Sequence, residues 1–336
     1  MPPRPAPKSQ LRVGISGWTY EPWRGVFYPK KHPQKQELHF ASRQLNSIEI
    51  NGTFYSLQRP SSFEAWRDAT PDDFVFSLKG GKFLTHQRRL RDCEIPLANF
   101  FASGVLALNQ KLGPILWQLP PNFAYDREKL EAFFQLLPQD TESALTLAHK
   151  HQPSMKDRAY LEIDSNRAMR HAIEIRHDSF NTPAFIELLR KHNIAMVIAD
   201  TAGKWQSPED VTADFVYVRM HGEEELYVSG YTHASLDAWA EKISAWSAGS
   251  EPASGARWSE KPAKKLDSRD VYVYFDNSVK VKSPFDAMSL AFRLGPTARG
   301  VDRINETSPP AEPKLTKKAL AERVKSSWTG RRRQKK

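Results

Sequence analysis

Short apolar runs alternate with amphipathic stretches along most of the chain. Each apolar run is of strand length and lies next to residues that favour turns, a pattern typical of β-strands. Eight runs are therefore predicted to be strands: Arg12–Gly17, Ser47–Asn51, Phe74–Lys79, Ile115–Leu119, Ala172–Arg176, Ala195–Asp200, Phe215–Met220 and Val271–Phe275.

Between the strands, apolar residues recur with the period of an amphipathic helix. The clearest examples are Asp126–Leu137, Thr182–His192, Leu236–Trp246 and Pro284–Phe292. Alternating strands and helices predict a parallel sheet, and eight strands match an α/β fold of the TIM-like (β/α)8 barrel type. The connection Thr201–Asp214 is too short and polar for a full helix, so one barrel helix is expected to be degenerate.

A single barrel domain is expected over residues 12–294, since such barrels commonly run to about 250 residues as one unit. Two inserts, at about 139–170 and 247–269, each follow a helix and precede a strand, which predicts that they lie on the amino-terminal face. The second is rich in Ser, Ala, Gly and Pro and is predicted to be a flexible linker. Residues 1–11 are predicted to be flexible and 295–336 to form a basic, disordered tail.

Charged residues alternate with apolar ones in four of the predicted strands. Side chains of a barrel strand point in turn towards the helices and into the barrel. If the isoleucines and valines face the helices, then Glu49, Lys79, Glu174, Arg176 and Arg219 point inward. Such charges are costly to bury unless they are paired, so a compensated network is predicted at the carboxyl ends of the strands, where barrel enzymes place their sites. Its predicted members are Lys79, Arg176 and Arg219 with Glu49, Glu174, Asp200 and Asp276.

The candidate site is built from residues at or just beyond these strand ends. The predicted catalytic residues are Glu49, Glu174, Lys79 and His221. The predicted substrate-binding residues are Trp18, Tyr20, Asn51, Tyr55, Gly80, Gln118, Arg176, His177, Asp200, Arg219 and Asn277. The alternative is that the charges are ion pairs that only fill the barrel, because such networks also shift pKa values without catalysis.

The turn Lys79-Gly80-Gly81-Lys82 favours an anion, because glycine amides and ammonium groups both bind phosphate or carboxylate. An ordinary glycine turn with solvated lysines is an equal alternative. Carboxylates and imidazoles at the strand ends are of types that bind divalent cations, but their spacing is not diagnostic and the nearby cations oppose a metal. No metal ligand is therefore predicted, and the sequence does not identify a cofactor.

The net charge of +10 comes from the two ends of the chain. Residues 309–336 carry +8 and residues 1–12 carry +3, which leaves the body close to neutral. The tail is expected either to bind nucleic acid without sequence preference or simply to be solvated. Because the first residues lack the apolar run of a signal peptide and no stretch is long enough to span a membrane, a cytoplasmic protein without membrane contact is expected.

The strand ends carry short strings that resemble the family known as domain of unknown function 72, or YecE-like. The strings are Gly14-Ile15-Ser16-Gly17-Trp18, Glu49-Ile50-Asn51, Phe76-Ser77-Leu78-Lys79-Gly80, Gln118-Leu119-Pro120-Pro121, Glu174-Ile175-Arg176-His177, Ala199-Asp200, Tyr217-Val218-Arg219 with His221-Gly222, and Phe275-Asp276-Asn277. The resemblance implies a TIM barrel and brings no established activity. One departure is Asp276, where family members often have a second asparagine, which argues against an acid role there.

The favoured function is an enzyme that acts on a small anionic substrate, phosphorylated or carboxylated, by acid–base chemistry. Glu174 or Glu49 is expected to be the base, while Lys79, Arg176 and Arg219 bind the anion or stabilise developing negative charge. The alternatives are a nucleic-acid-associated, metal-dependent phosphodiesterase and a noncatalytic binding barrel.

Overall fold

Eight parallel strands close into a barrel, with neighbours in the order of the sequence. The computed structural model describes residues 9–224, 229–253, 255–277 and 281–295. The strands are β1 (Leu11–Ser16), β2 (Ser47–Ile50), β3 (Val75–Lys79), β4 (Leu112–Gln118), β5 (His171–Glu174), β6 (Ala195–Asp200), β7 (Phe215–Met220) and β8 (Asp270–Phe275). All eight predicted strands are confirmed, each within a few residues of its expected ends.

Helices surround the barrel. They are α1 (Glu37–Ala41), α2 (Gly52–Tyr55), α3 (Pro60–Ala69), α4 (Glu94–Ala102), α5 (Arg127–Leu136), α6 (Thr141–Ala148), α7 (Pro183–Lys191), α8 (His233–Ser247) and α9 (Lys282–Leu294). Asp126 and Thr182 are the first residues of two predicted helices, and their side chains cap α5 and α7 by accepting hydrogen bonds from backbone amides. The (β/α)8 fold predicted from the sequence is therefore confirmed.

The connection between β6 and β7 contains no helix, as its polar sequence predicted. The second insert packs over this connection: the amide of Trp258 donates to Asp210 at 2.7 Å, and the amide of Glu209 donates to the carbonyl of Ala256 at 2.8 Å. Arg190 of α7 also donates to the carbonyl of Lys261, at 3.0 Å. The insert thus covers the side of the barrel where the helix is missing.

The first insert is not confined to the amino-terminal face. The two ends of this insert lie side by side on the amino-terminal face, where the amide of Thr141 donates to the carbonyl of Arg167. Between these points α6 packs along α4, and Gln152 exchanges hydrogen bonds with Asn99 of α4. Gln152 lines the same surface groove as Gly81, which follows β3. The expectation that this connection stays at the amino-terminal end was therefore wrong for its tip.

Two hydrophobic clusters show which way each strand residue points. One lies between barrel and helices and includes Ile48, Ile50 and Val218, whereas the other fills the barrel interior and includes Tyr217 and Tyr274. The alternation deduced from the sequence is thus present in the fold. Apolar and aromatic side chains fill the barrel interior, and this leaves the charged ones above them at the carboxyl ends.

Within the residues that the structure describes, no helix is long and apolar enough to cross a membrane. Most of the predicted basic tail lies outside those residues, so the alternatives of nucleic-acid binding and simple solvation of the tail stay predictions.

Candidate active site at the carboxyl ends of the strands

Arg219 of β7 lies at the centre of a buried charge network. Its Nε and Nη2 donate to the two oxygens of Glu49 at 3.1 and 2.9 Å, and its Nη1 donates to Glu174 Oε2 at 2.7 Å. Nη2 also donates to Asp276 Oδ2 at 2.9 Å. Three carboxylates from different parts of the barrel therefore share one guanidinium, whose planar fork suits such contacts.

Glu49 and Glu174 have further partners besides Arg219. Glu49 accepts from the hydroxyls of Ser16 at 2.9 Å and Tyr217 at 2.7 Å. Glu174 accepts from Gln118 at 2.9 Å and from Arg176 Nη2 at 2.7 Å. The compensated network predicted from the sequence is present for Glu49, Glu174, Arg176 and Arg219. The prediction was wrong for Lys79 and Asp200, which make no ion pair among the described residues.

Glu174 is held in its charged form. Burial raises the pKa of its carboxyl, but the charges of Arg176 and Arg219 outweigh burial and hold that pKa well below the usual value. A general base works best with a pKa near the working pH, so this carboxylate is a weak proton acceptor at neutral pH.

His221 and Asp276 complete the network on one side of Arg219. His221 is fully buried, with Nδ1 3.4 Å from Asp276 Oδ2 and Nε2 3.8 Å from Glu174 Oε1. Burial raises the pKa of Asp276, but Arg219 and His221 together hold it below its usual value. The sequence predicts Asp276 as a member of the charge network, because it follows β8 directly, and the contacts with Arg219 and His221 bear this out.

Lys79 enters the same space from the end of β3. It is 9% exposed, and its Nζ lies 4.5 Å from the centre of the Phe54 ring. In the described part of the chain, Nζ makes no hydrogen bond or ion pair. Burial, followed by the charge of Arg219, lowers the pKa of Lys79 to about 8. A larger fraction of this lysine is therefore unprotonated near neutral pH than of an ordinary lysine.

Cations and aromatic rings surround the entrance to the site. Arg176 stacks over Trp205, 4.4 Å from the ring centre, and Lys82 lies 5.8 Å from the centre of the Tyr55 ring. Burial lowers the pKa of His86 to about 4, with the charges of Lys79, Arg176, Lys82 and Arg89 adding to the effect. His86 was not among the candidates, although it follows Thr85 in the loop after β3.

The structure explains why residue 80 is a glycine, which the sequence did not reveal. Its amide donates to the carbonyl of Leu116 at 2.8 Å, so it is used in the β3–β4 ladder. A Cβ at this position would lie 2.2 Å from the Trp117 ring, which only glycine avoids. The proposal that the Gly80 amide binds an anion is therefore corrected: the close approach to Trp117 explains this glycine.

Two further candidates are engaged in local structure. His177 Nδ1 accepts from the Ser179 amide at 3.2 Å and caps the turn Asp178–Phe180. Asn277 is buried and holds the start of α9: its amide donates to Asp286 at 2.8 Å, and its carbonyl oxygen accepts from Ser283 at 2.7 Å. The assignment of Asn277 to substrate binding is corrected, because Asp276 and not Asn277 contacts the network.

The remaining candidates lie around the entrance. Trp18 packs edge-on against Trp66 of α3, with 5.5 Å between ring centres, and the Tyr20 hydroxyl donates back to the carbonyl of Ser16. Tyr55 is 62% exposed. Burial raises the pKa of Asp200 at the end of β6.

Asn51 follows β2, and its buried Oδ1 has no hydrogen-bond partner in the described part of the chain. An acceptor of this kind is costly to leave unsatisfied, so it favours a ligand that donates a hydrogen bond.

Among the described residues, no group of three or more His, Cys, Asp or Glu side chains is arranged to hold a metal ion. Of the carboxylates at the strand ends, Glu49, Glu174 and Asp276 bind Arg219, and His177 lies in its own turn.

The family model described as "Protein of unknown function DUF72" matches residues 12–313. The chain is 28% identical over 140 residues to UPF0759 protein YecE of Escherichia coli and 28% identical over 129 residues to UPF0759 protein YunF of Bacillus subtilis. These matches cover 41% and 36% of this chain and 48% and 43% of the relatives, so they span about half the length of those proteins or less.

Solved structures give the same picture of the fold. A DUF72 family protein from Thermotoga maritima superposes with a TM-score of 0.62 at 23% identity, covering 85% of this chain and 99% of that one. A DUF72 family protein from Enterococcus faecalis gives 0.60 at 17% identity, covering 84% and 95%.

Proposed function

The chain belongs to the DUF72 family, and we propose that the carboxyl end of its barrel is the active site of an enzyme that acts on a small anionic substrate by acid–base chemistry. The observation that carries this proposal is the state of Lys79: it is buried among charges, yet its Nζ is unpaired within the described residues.

The charge balance favours an anion beside Lys79. Glu49, Glu174 and Asp276 are bound by Arg219, and Glu174 also by Arg176, so the carboxylates are committed to other cations. The same surrounding cations that lower the pKa of His86 would stabilise a phosphate or carboxylate at the entrance. Arg219 itself is not proposed to bind the anion, since its donors already serve the protein's own carboxylates.

Lys79 is proposed as the acid–base group, in place of Glu174 or Glu49. A group with a pKa of about 8 is present in both protonation states near neutral pH, which general acid–base catalysis requires. Glu49 and Glu174 then act as positioning residues that fix Arg219, and His221, whose ring lies 3.4 Å from Asp276, is proposed as a second catalytic residue. Asn51 offers an acceptor for a substrate hydroxyl.

Calorimetric titration tests the anion site. Phosphate and the carboxylate glycolate are titrated into the wild-type chain, Lys79→Met and Lys82→Met at pH 7. Loss of the Lys79 charge is expected to weaken binding about tenfold or more, the effect of removing one charge-assisted contact, whereas loss of the outer Lys82 costs less. For the wild type, binding should also weaken as the pH rises through about 8, since the ammonium then loses its proton.

Equal affinities for wild type and Lys79→Met would overturn the site assignment. A labelled single-stranded oligonucleotide in the same series separates the polymer-binding alternative: binding of the oligonucleotide with none of the small anions would favour it. If a small molecule that co-purifies with the chain is recovered unchanged after incubation with fresh protein, the barrel binds without catalysis.

A further inference from the structure

We propose that the substrate carries an aldehyde or keto carbonyl and that the amine of Lys79 condenses with it to form an iminium. This inference rests on the proposed function, which places the anionic substrate beside Lys79, and it adds that the carbonyl carbon of that substrate lies within reach of Nζ.

A comparison of two buried lysines carries the inference. Lys111 is 3% exposed, and its Nζ donates to the carbonyls of Arg67 and Thr70 at 2.6 and 2.8 Å and to the Thr70 hydroxyl at 3.2 Å. These contacts fix a structural ammonium. Lys79 is also almost buried, but within the described residues its Nζ meets only the face of Phe54. Its amine is therefore held in position while its lone pair, when unprotonated, is not used by the protein.

The surroundings also increase the share of reactive amine. With a pKa of about 8, roughly one in ten Lys79 side chains is unprotonated at pH 7, against fewer than about one in a thousand for an ordinary lysine. Desolvated lysines next to another cation are the ones that form such adducts with carbonyl compounds, and Arg219 supplies that cation here.

The step balances without a redox partner. The nitrogen lone pair attacks the carbonyl carbon, and the C=O π electrons move to the oxygen, which takes up a proton. The nitrogen then gives up one proton, and the resulting hydroxyl is protonated again and leaves as water while the nitrogen lone pair forms the C=N bond. Oxygen gains two protons and nitrogen loses one, so amine, carbonyl and one proton give iminium and water. The iminium carries the same single positive charge as the ammonium, so the network around Arg219 keeps its charge balance.

Reductive trapping on the full chain tests the inference. The chain is incubated at pH 7 with glyoxylate, an anionic aldehyde, and sodium cyanoborohydride, and the labelled lysines are located by peptide mass spectrometry. Lys79 is expected to be labelled at least about tenfold faster than Lys82, which lies in the same loop, and than Lys111. Its labelling rate should rise with pH through about 8.

Labelling of Lys79 no faster than Lys82 would overturn the inference, and this comparison is made within the wild-type chain, so it does not depend on a variant that folds. Lys79→Arg should lose the fast adduct and keep the slow ones. Glycolate lacks the carbonyl and serves as the reference: if it binds in a Lys79-dependent way but glyoxylate is not trapped, the carbonyl inference fails alone and the anion site stands. Failure of both removes the proposed function as well.

Discussion

Both carboxylate oxygens of Glu49 accept hydrogen bonds from Arg219, and neither side chain has any exposure to solvent. The pair joins β2 to β7 across the barrel. Since a lysine cannot make this two-point contact, Arg219→Lys leaves Glu49 and Glu174 without part of their compensation. We expect a loss of about 3–5 kcal/mol in the free energy of unfolding, measured by urea denaturation.

Arg167→Lys is the matched control for that variant. Nη1 and Nη2 of Arg167 also donate to the two carboxylate oxygens of Asp164, at 2.5 and 2.6 Å. This pair lies on the surface, with side-chain exposures of 33% and 37%. The same substitution should cost less than about 1 kcal/mol there. Similar losses for the two variants would show that burial adds nothing to the Arg219 network.

Tyr217→Phe tests the hydrogen bond that the Tyr217 hydroxyl donates to Glu49. Tyr217 donates to Glu49 at 2.7 Å, and its oxygen lies 2.6 Å from Ser77 Oγ. Its loss should cost about 1.5–3 kcal/mol, as for a bond to a charged acceptor. Tyr274→Phe removes a comparable buried hydroxyl that bonds to neutral Ser47 at 2.7 Å, and should cost about 0.5–1.5 kcal/mol. Thermal unfolding of both variants gives the comparison; an equal cost would contradict the role of the charge.

Gly80→Ala and Gly81→Ala test whether close packing explains the glycine at the start of the turn after β3. A methyl group at Gly80 would lie 2.2 Å from the Trp117 ring, whereas at Gly81 the nearest atom is the carbonyl of Thr53 at 3.8 Å. We expect Gly80→Ala to lose about 1–3 kcal/mol or more of stability through overpacking, and Gly81→Ala to be close to neutral. The midpoints of chemical denaturation decide; a neutral Gly80→Ala would show that Trp117 moves aside freely.

His171 should make the fold sensitive to acid. Its Nε2 donates to the carbonyl of Pro138 at 2.8 Å, and its Nδ1 accepts from Trp117 at 3.2 Å, so both nitrogens suit the neutral ring. Burial lowers its pKa to about 4. The unfolded chain takes up this proton near pH 6.5, before the folded one does, so stability falls as pH drops from about 6.5 to 4, by roughly 3 kcal/mol at most.

The check is the free energy of unfolding measured across that pH range. His171→Gln should flatten the pH dependence relative to wild type, whereas His149→Gln, at an exposed position, should leave it unchanged. Because His86 also has a lowered pKa, part of the slope remains in His171→Gln. An unaltered slope in that variant would exclude His171 as a source of acid sensitivity.

The sequence by itself determined the barrel and the direction of its side chains. Period-two alternation in runs such as Ser47–Ile50 fixes which residues face the helices, because a strand in a closed barrel buries both faces and only one of them accepts apolar side chains throughout. The inward positions of Glu49, Lys79, Glu174 and Arg219 follow from that alternation alone.

Only the tertiary structure decided which of these charged side chains form ion pairs with one another and which does not. Arg219 and Lys79 look equivalent in the sequence, since each ends or nearly ends an inward-facing strand pattern. Within the described residues, the fold gives Arg219 three carboxylates and Lys79 only the face of Phe54. Likewise, Asp276 and Asn277 are adjacent in the chain, but the Asp276 side chain contacts Arg219, whereas the Asn277 side chain contacts α9. Pairing depends on distances between residues far apart in the chain, and local patterns do not contain those distances.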